Sequence, residues 1–244
     1  MARAAGLACE FYFQGFDLSG DIGALNNMGS PRTSFEVTGI NKSAIERIYG
    51  RIDAVLDWTS FFNDAAGQQH LAFRTLPTTD VDVLVALQGG TKGSSSAMLG
   101  DAKQVDYNMS RPADGSLTCN GQVLANGQAW EYGSILLAKA TITSTGNSAS
   151  EDNAASSSAG LAGMIHLTGF TGTNYTATIQ DSTNNICFCT LKAFAQITAI
   201  NKSERVTVSG TVNRYLRVNH AGTFDSITAV VATRRGESTD VEGY

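Results

Sequence analysis

The stretch FEVTGINKSAIERIYGRIDAVLDWTSFFND, residues Phe35–Asp64, decides how the rest of the chain is interpreted. Its first half predicts a short strand and then a short helix, because Ser43 and Glu46 have the spacing of a capping box. Gly50 stands where a left-handed C-cap is expected. The helix would place three apolar residues on one face: Ile45, Ile48 and Tyr49. Since a helix this short is unstable alone, we expect that face to dock on another surface.

The second half of the stretch changes from helical to strand periodicity at Arg51. Apolar and polar side chains alternate from there to Phe62, as in a strand with one buried face. The apolar side comprises Ile52, Ala54, Leu56, Trp58 and Phe62, and the polar side comprises Arg51, Asp53, Asp57 and Thr59. A single strand over Arg51–Phe62 would be roughly 40 Å long, which is unusual for a globular sheet. We therefore expect this strand to be central to the fold.

Three segments in and around this stretch resemble the major tail tube proteins of long-tailed, siphovirus-like bacteriophages. They are DLSGDIGAL (Asp17–Leu25), VTGINKSAIERIYGRIDA (Val37–Ala54) and FFNDAAGQ (Phe61–Gln68), in the order and spacing of that family. The resemblance covers about Phe11–Asn126 and includes no catalytic motif. This chain differs from the family in one place, where Asp53-Ala54 replaces a frequent Asp-Gly pair.

The resemblance implies a structural virion protein that assembles with copies of itself. Its rings, hexameric in the family, would stack into the tail tube that conducts the viral DNA. The implied partners are further copies of this chain, other tail proteins, and double-stranded DNA that passes without specific binding. The same resemblance implies assembly in the cytoplasm of the bacterial host and a final location in the virion, in the phage tail.

The composition argues against several classes of function. The chain holds 17 Lys+Arg against 22 Asp+Glu, a formal net charge of −5, whereas a protein that grips nucleic acid needs clustered cations. No apolar run approaches the ~18 residues of a membrane span, so no membrane partner is expected. The 4 cysteines and 3 histidines lack the spacing of metal ligands. We expect no metal and no cofactor.

The whole chain predicts a mainly β protein in two units. Residues 1–142 are expected to form a tail-tube-like β domain, a sandwich or barrel, with a helix near Ala65–Leu76. Residues 143–160 are small, polar and aperiodic, which is typical of a flexible linker. Residues 161–244 are expected to form a C-terminal β-sandwich, because short strand-like runs recur there at a spacing of about ten residues. The runs are Met164–Phe170, Tyr175–Gln180, Ile186–Leu191, Phe194–Ile200, Arg205–Val208, Arg214–Val218 and Phe224–Ala232.

Two sets of residues are predicted to meet partners. The apolar face of the short helix (Ile45, Ile48 and Tyr49) is expected at the interface between subunits, with docking on its own domain as the alternative. The second set comprises acidic residues on the polar faces of strands: Asp53, Asp57, Asp80 and Asp82. A wall of carboxylates would keep passing DNA from binding, so we expect them to line the channel. The alternative is that they face solvent outside the ring.

The sequence predicts no enzyme. Catalysis needs a nucleophile, a base and an orienting group in one place. The histidines, His70, His166 and His220, lie in separate segments and belong to no recognised catalytic motif.

Two other functions stay open beside the tail tube. One is a capsid decoration or head–tail completion protein. The other is a sugar-binding adhesive module, in which Tyr175 or Tyr215 of the C-terminal domain stacks on a sugar ring. Arg205, Arg214 and Arg217 surround Tyr215 in sequence and would form a weakly basic patch, unless they are ordinary solvent-facing arginines on an exposed sheet.

Overall fold

The computed structural model of the protein describes residues 6–236, and the predicted mainly β fold class is confirmed. The strands, in chain order, are β1 (Glu10–Phe13), β2 (Phe16–Asp17), β3 (Ile22–Gly29), β4 (Arg32–Glu36), β5 (Arg47–Ile52), β6 (Val55–Phe61), β7 (Val81–Ala86), β8 (Ser95–Ser110), β9 (Thr118–Leu124), β10 (Glu131–Ile142), β11 (Gly146–Asn147), β12 (Glu151–Asp152), β13 (Leu161–Ser182), β14 (Cys189–Ala193), β15 (Lys202–Val208) and β16 (Tyr215–Arg235). A short helix, α1 (Gln69–Phe73), lies between β6 and β7. Within residues 6–236, no helix is long and apolar enough to cross a membrane.

Four strands form a sheet around Trp58, in the order β3, β6, β9 and the second half of β8. The two-residue period of β6 turns Leu56, Trp58 and Ser60 inward, and all three are fully buried. The Trp58 ring centroid lies 4.8 Å from that of Phe73 in α1. Gly121 of β9 is paired with Trp58, and a Cβ there would come within 2.2 Å of the indole, so this close approach requires glycine.

The other main set of strands runs in the order β14, β13, β16, β10, the first half of β8, β7, β1 and β2. Its longest members, β13 and β16, pair antiparallel over nearly their whole lengths. The register runs from Leu161 opposite Arg235 to Ser182 opposite Tyr215. Their inward residues form the largest core of the second half of the chain, with Tyr175, Ile179, Val218 and Ile227 among its buried members.

Several shorter strands predicted for residues 161–244 merge into β13 and β16. The prediction of breaks was wrong because Gly169 and Gly172 lie at register shifts, where the ladder bulges and then continues. Glycine within these strands marks a bulge and not a turn. The run Phe194–Ile200, also predicted as a strand, forms no ladder of its own. It meets β13 through the Phe194 N–H, which donates to the Ala177 carbonyl at 3.0 Å, and through an isolated bridge between Ile197 and Tyr175.

Strand β10 connects the two halves of the chain, because it pairs with β8 on one side and with β16 on the other. A buried cluster crosses the same connection and draws on both halves: Tyr12, Leu84, Ala86, Met98, Ile135, Met164, Val230 and Ala232. Residues 143–160 include β11 and β12, which both pair with β16. Independent folding of residues 1–142 and 161–244 stays a prediction, and residues 1–5 and 237–244 at their ends lie outside the described residues.

The helix predicted near Ala65–Leu76 is shorter than expected. It begins at Gln69, whose backbone N–H donates to the Asp21 carboxylate at 3.1 Å. It ends at Phe73, and Leu76 already has a left-handed backbone with a φ of 43°. The predicted helix is therefore present, but its predicted bounds are wrong.

The helix predicted over Ser43–Tyr49 is absent, and that part of the chain forms a β-hairpin. Strands β4 and β5 pair as a separate two-stranded sheet, with Phe35 opposite Ile48. We call this hairpin, Arg32–Ile52, the arm. The backbone N–H of Glu46 donates to Thr38 Oγ1 at 2.9 Å, across the hairpin, and not to a capping serine. The capping-box interpretation was therefore wrong.

The single long strand predicted over Arg51–Phe62 is also wrong, because the chain breaks at Asp53 and Ala54 between β5 and β6. The backbone hydrogen bonds of these two residues explain the break. The Asp53 N–H donates to the carbonyl of Pro31 at 3.1 Å, and the Ala54 carbonyl accepts from the Ala125 N–H at 2.7 Å. The break lets the arm leave the four-stranded sheet.

Candidate functional site

The arm exposes an unusual amount of apolar surface. Every residue of β4 is exposed, and the large apolar side chains of the arm include Phe35, Val37, Ile40, Ile45, Ile48 and Tyr49, each at least 47% exposed. The guanidinium of Arg32 lies over the Tyr49 ring, 5.6 Å from its centroid. Contiguous apolar patches on a protein surface commonly mark the binding site of another protein.

The three residues predicted for a subunit interface all lie on the arm, although not on a helical face. Ile48 and Tyr49 are consecutive in β5, so their side chains point to opposite sides of the hairpin. Ile45 precedes them in the connection between the strands. With exposed fractions of 56, 53 and 75% for Ile45, Ile48 and Tyr49, none of them docks on the body of its own chain.

A groove of about 980 Å³ lies at the base of the arm, beside the connection between β9 and β10. Phe35, Tyr49 and Ile52 supply apolar surface to it, and Gln128 lies on the side of the connection. Asp53, predicted for the channel wall, also lines this groove and is exposed. A partner that covered the arm would therefore also meet Asp53.

The four-stranded sheet has a second surface, opposite the Trp58 core, which we call the polar face. Its middle carries carboxylates, amides and a hydroxyl, and none of them is buried: Asn26, Asn27, Asp57, Thr59, Asp106, Asn108, Asn120 and Gln122. Apolar side chains lie on the same side only towards the strand ends: Val55, Phe61 and Leu124. The polar side chains come from all four strands, because the pairing places Asp57 between Asn27 and Gln122, and Gln122 beside Asp106.

Hydrogen bonds between neighbouring strands hold the polar face in place. The Asp57 carboxylate accepts from the Gln122 amide at 2.6 Å and from the Asn27 amide at 3.3 Å. Thr59 donates to the Asn120 carbonyl oxygen at 2.8 Å and accepts from the Asn26 amide at 2.9 Å. The surface is thus an ordered row of polar groups.

The side chains named above for the polar face include two carboxylates, Asp57 and Asp106, and no arginine or lysine. Lys103 stands at its border in β8 and forms an ion pair with Asp80, at 2.8 Å. This surface offers phosphate groups no unpaired cation from the described residues. Asp106 and the amides were missed at the sequence level, although the alternation of Asp106 and Asn108 within one strand was a usable signal.

Asp80 and Asp82 do not form the joint acidic stripe that their spacing suggested. Asp80 is exposed, and its bonds from Lys103 and Asn126 hold the pKa of its carboxyl below its usual range. Asp82 is half-buried and faces Ser203 and Arg205 of β15, and burial raises the pKa of its carboxyl. Asp57 is therefore the predicted acidic residue that lies on the polar face.

The three arginines predicted for a basic patch are separated, and each has its own partner. Arg205 donates two hydrogen bonds to Glu131 of β10, at 2.8 and 2.7 Å. Arg214 binds Asp152 in the same forked manner, at 2.6 and 2.7 Å. The guanidinium of Arg217 lies 3.8 Å from the centroid of the Phe188 ring. These cations are engaged within the chain, so they do not form the basic patch that was one of the two interpretations of the sequence.

Tyr175, proposed to stack on a sugar ring, is fully buried. Its hydroxyl is 2.8 Å from Nδ1 of His220, and its ring meets Phe224 edge-on with centroids 5.5 Å apart. Tyr215 is half-buried beneath Arg214, 4.9 Å from the guanidinium. Neither tyrosine offers an open ring face, so the structure does not support a sugar site at these two residues.

The histidines have separate surroundings. Nδ1 of His70 lies 2.9 Å from the Tyr107 hydroxyl, whereas Nδ1 of His166 accepts a bond from the Gly15 N–H at 3.1 Å. Burial lowers the pKa of His166 to about 3 and that of His220 to about 4. No group of three or more His, Cys, Asp or Glu side chains within residues 6–236 has an arrangement suited to a metal ion.

Comparison with known proteins adds little to this geometry. No family model matches the chain, and no curated protein is significantly similar to it. One solved structure that it resembles is the crystal structure of the SPP1 Dit (gp 19.1) protein, described as a paradigm of the hub adsorption apparatus in phages that infect Gram-positive bacteria. The alignment covers 93% of this chain and 98% of that one, with 11% identity and a TM-score of 0.36. A similarity at this level supports no argument about function.

Proposed function

We propose that this chain is a structural virion protein, the subunit of a phage tail tube, which assembles into stacked rings around a DNA channel. The observation that supports the proposal most directly is the four-stranded sheet. It combines a polar face poor in cations with open edges on both sides. The location in the virion and the other tail proteins as partners belong to the same proposal.

The open edges provide a way to close a ring. Among the described strands, β3 pairs only with β6, and the second half of β8 pairs only with β9. Val105 and Met109, on that half of β8, are 46 and 54% exposed. Pairing β3 of one copy with β8 of the next would continue the sheet from subunit to subunit. Such a head-to-tail contact generates a ring when the rotation between subunits closes, and a closed ring removes edges that would otherwise aggregate.

The polar face would form the wall of the channel. DNA binds proteins largely through phosphate–cation contacts that release counterions, and a wall without unpaired cations avoids that attraction. Asp57 and Asp106 add weak repulsion, which acts only within a Debye length of about 8 Å at physiological salt. Asp57 is favoured for this role because its partners are neutral amides. Asp80 is paired with the Lys103 cation, Asp82 faces Arg205, and Asp53 lies in the groove at the base of the arm.

The arm would hold neighbouring subunits or successive rings together. No other segment of the described residues buries the apolar side chains of the arm. Their exposure to water is unfavourable, and burial in an assembly would remove that exposure. Ile45, Ile48 and Tyr49 are proposed to lie in that contact. A completely buried side chain of this size is worth about 1.5–3 kcal/mol, and each would contribute about half of that because each is already partly covered.

Electron microscopy of the purified chain, with Ile45→Asp and Asn41→Asp variants, tests the assembly. Both substitutions add one negative charge to the same exposed connection of the arm, but only Ile45→Asp removes an apolar contact. We expect wild type and Asn41→Asp to form rings or tubes, and Ile45→Asp to remain a folded monomer with an unchanged melting temperature. A wild-type chain that stays monomeric at high concentration, or an Ile45→Asp chain that still forms tubes, would contradict the proposal.

Reconstituted phage particles test the channel wall. Asp57→Lys places a cation on the polar face, and Asp64→Lys places one on an exposed loop outside it. We expect Asp57→Lys tails to assemble and eject DNA more slowly, while Asp64→Lys tails eject normally. Equal ejection rates in the two variants would show that the polar face does not line the channel.

A further inference from the structure

A second groove lies far from the arm in sequence, between the start of β10, the end of β16 and the segment before β13. We call it the serine groove. Its volume is about 690 Å³, within the roughly 300–1,000 Å³ typical of small-ligand sites. Among its lining residues are Tyr132, Ser134, Asn153, Ser156, Ser158 and Arg235.

Arg235 is the charged residue of this groove and has no carboxylate partner among residues 6–236. Its Nη2 donates to the backbone carbonyls of Ala155 and Val212, at 2.7 and 3.2 Å. Its Nε is buried without any hydrogen-bond acceptor, and burial lowers the pKa of the guanidinium. A partly desolvated cation without a counter-charge is costly, and a bound anion would offset that cost.

The rest of the groove lining suits a polyhydroxylated ligand. Tyr132 is 54% exposed, so a face of its ring is open for stacking against a sugar. Ser156 and Ser158 are exposed and present hydroxyl groups that both donate and accept. The lining contains no Asp or Glu that would repel an anion. Glu131 and Glu151, which lie nearby in sequence, are paired with Arg205 and Lys92.

We propose that the serine groove binds a saccharide that carries a carboxylate group. The carboxylate would pair with the Arg235 guanidinium, the sugar ring would stack on Tyr132, and the serine hydroxyls would bind the sugar hydroxyls. This site is separate from both the arm and the polar face. Its existence does not depend on ring assembly, and its occupant on a particle would be an acidic surface polysaccharide.

Calorimetric titration at pH 7 with D-glucuronate and D-glucose tests the proposal. We expect glucuronate to bind at least about tenfold more tightly than glucose, because glucose lacks the charged bond to Arg235. Tyr132→Ala should weaken glucuronate binding by about fivefold. Ile200→Ala removes a similarly exposed side chain that does not line the groove and should leave the affinity unchanged.

Arg235→Gln separates recognition of the charge from a structural role of this side chain. The variant should bind glucuronate no better than glucose, with glucose binding itself unchanged. A simultaneous loss of glucose binding would mean that Arg235 only maintains the shape of the groove, and would overturn its role as the carboxylate partner.

The chain itself offers a competing anion, since Glu237, Asp240 and Glu242 follow the groove in sequence. The full-length Glu237→Gln, Asp240→Asn, Glu242→Gln variant distinguishes the two occupants. If this variant binds glucuronate and the wild type does not, the proposal is overturned, and the chain's own carboxylates are the occupant of the groove. Absence of glucuronate binding in both proteins would overturn it completely.

Discussion

Acidification should destabilise this fold through His166, which is fully buried where the turn after β1 meets β13. Its Nδ1 accepts the Gly15 N–H, its Nε2 has no partner, and the Tyr12 ring lies 5.9 Å away, so nothing nearby stabilises a positive charge. Burial lowers the pKa of the imidazole from 6.5 to about 3. Between these values the unfolded chain binds a proton that the folded chain excludes. Stability is therefore complete above pH 6.5 and falls as the pH decreases towards 3.

The expected slope is about 1.4 kcal/mol per pH unit. Between pH 6 and pH 4.5 this group alone should lower the free energy of unfolding by roughly 2 kcal/mol. Urea denaturation at several pH values measures it, with His166→Asn as the control. Asparagine keeps an acceptor near the position of Nδ1 but does not titrate. His220, whose pKa is lowered to about 4, is present in both proteins and cancels from the difference.

Ionic strength should be constant and sedimentation should verify that the subunit is monomeric, because assembly would add its own pH dependence. We expect the wild-type slope to exceed the His166→Asn slope by about 1.4 kcal/mol per pH unit between pH 6 and pH 4.5. Equal slopes would refute the reasoning, since they would mean that His166 is protonated in the folded chain or that its site opens to solvent.

Three further predictions concern the framework that supports the two proposed surfaces. Gly121→Ala should lower the free energy of unfolding by about 1–3 kcal/mol, because its Cβ would collide with Trp58, whereas Gly20→Ala, with no neighbour within 4 Å, should leave urea unfolding unchanged. Arg205→Ala should cost about 3 kcal/mol by leaving Glu131 nearly buried without its partner, and adding Glu131→Gln should recover part of this loss in a double-mutant cycle. Limited proteolysis should cut first within residues 143–160 and leave two resistant fragments, because the two units are expected to fold separately. Resistance of this segment would contradict that expectation and would mean that the pairing of β11 and β12 with β16 holds the segment in place.

The sequence predicted the strands better than it predicted how they connect. The alternation around Trp58 identified the buried face of β6, because a half-buried strand leaves a period of two. The same sequence misled at Ser43–Tyr49, where a capping-box spacing and three apolar residues suggested a helix. Those apolar residues are exposed on the arm, and local periodicity does not distinguish a buried helical face from an exposed apolar hairpin.

The candidate site was predicted only in part, because residues that are distant in sequence complete it. Asp57 was identified from its strand face, but the amides that surround it come from β3 and β9, and only the register of the sheet brings them together. The merging of predicted strands into β13 depended on bulges at Gly169 and Gly172, which resemble turns in a sequence. Tyr175 was expected at the surface and is in the core, because burial of an aromatic ring depends on long-range packing against Phe224.

The position of β16 in the chain has a consequence for how the protein is made. This strand pairs with β10, β11, β12 and β13, yet it is the last strand of the described residues to leave the ribosome. Until it emerges, one side of β10 has no neighbour, and the inward residues of β13 lack half of their core. Contacts between residues so distant in sequence form slowly, and incomplete chains with open edges are prone to aggregate. A nascent chain stalled before Tyr215 should therefore depend on chaperones, whereas a chain that includes β16 should cover the open side of β10 and complete the core of β13.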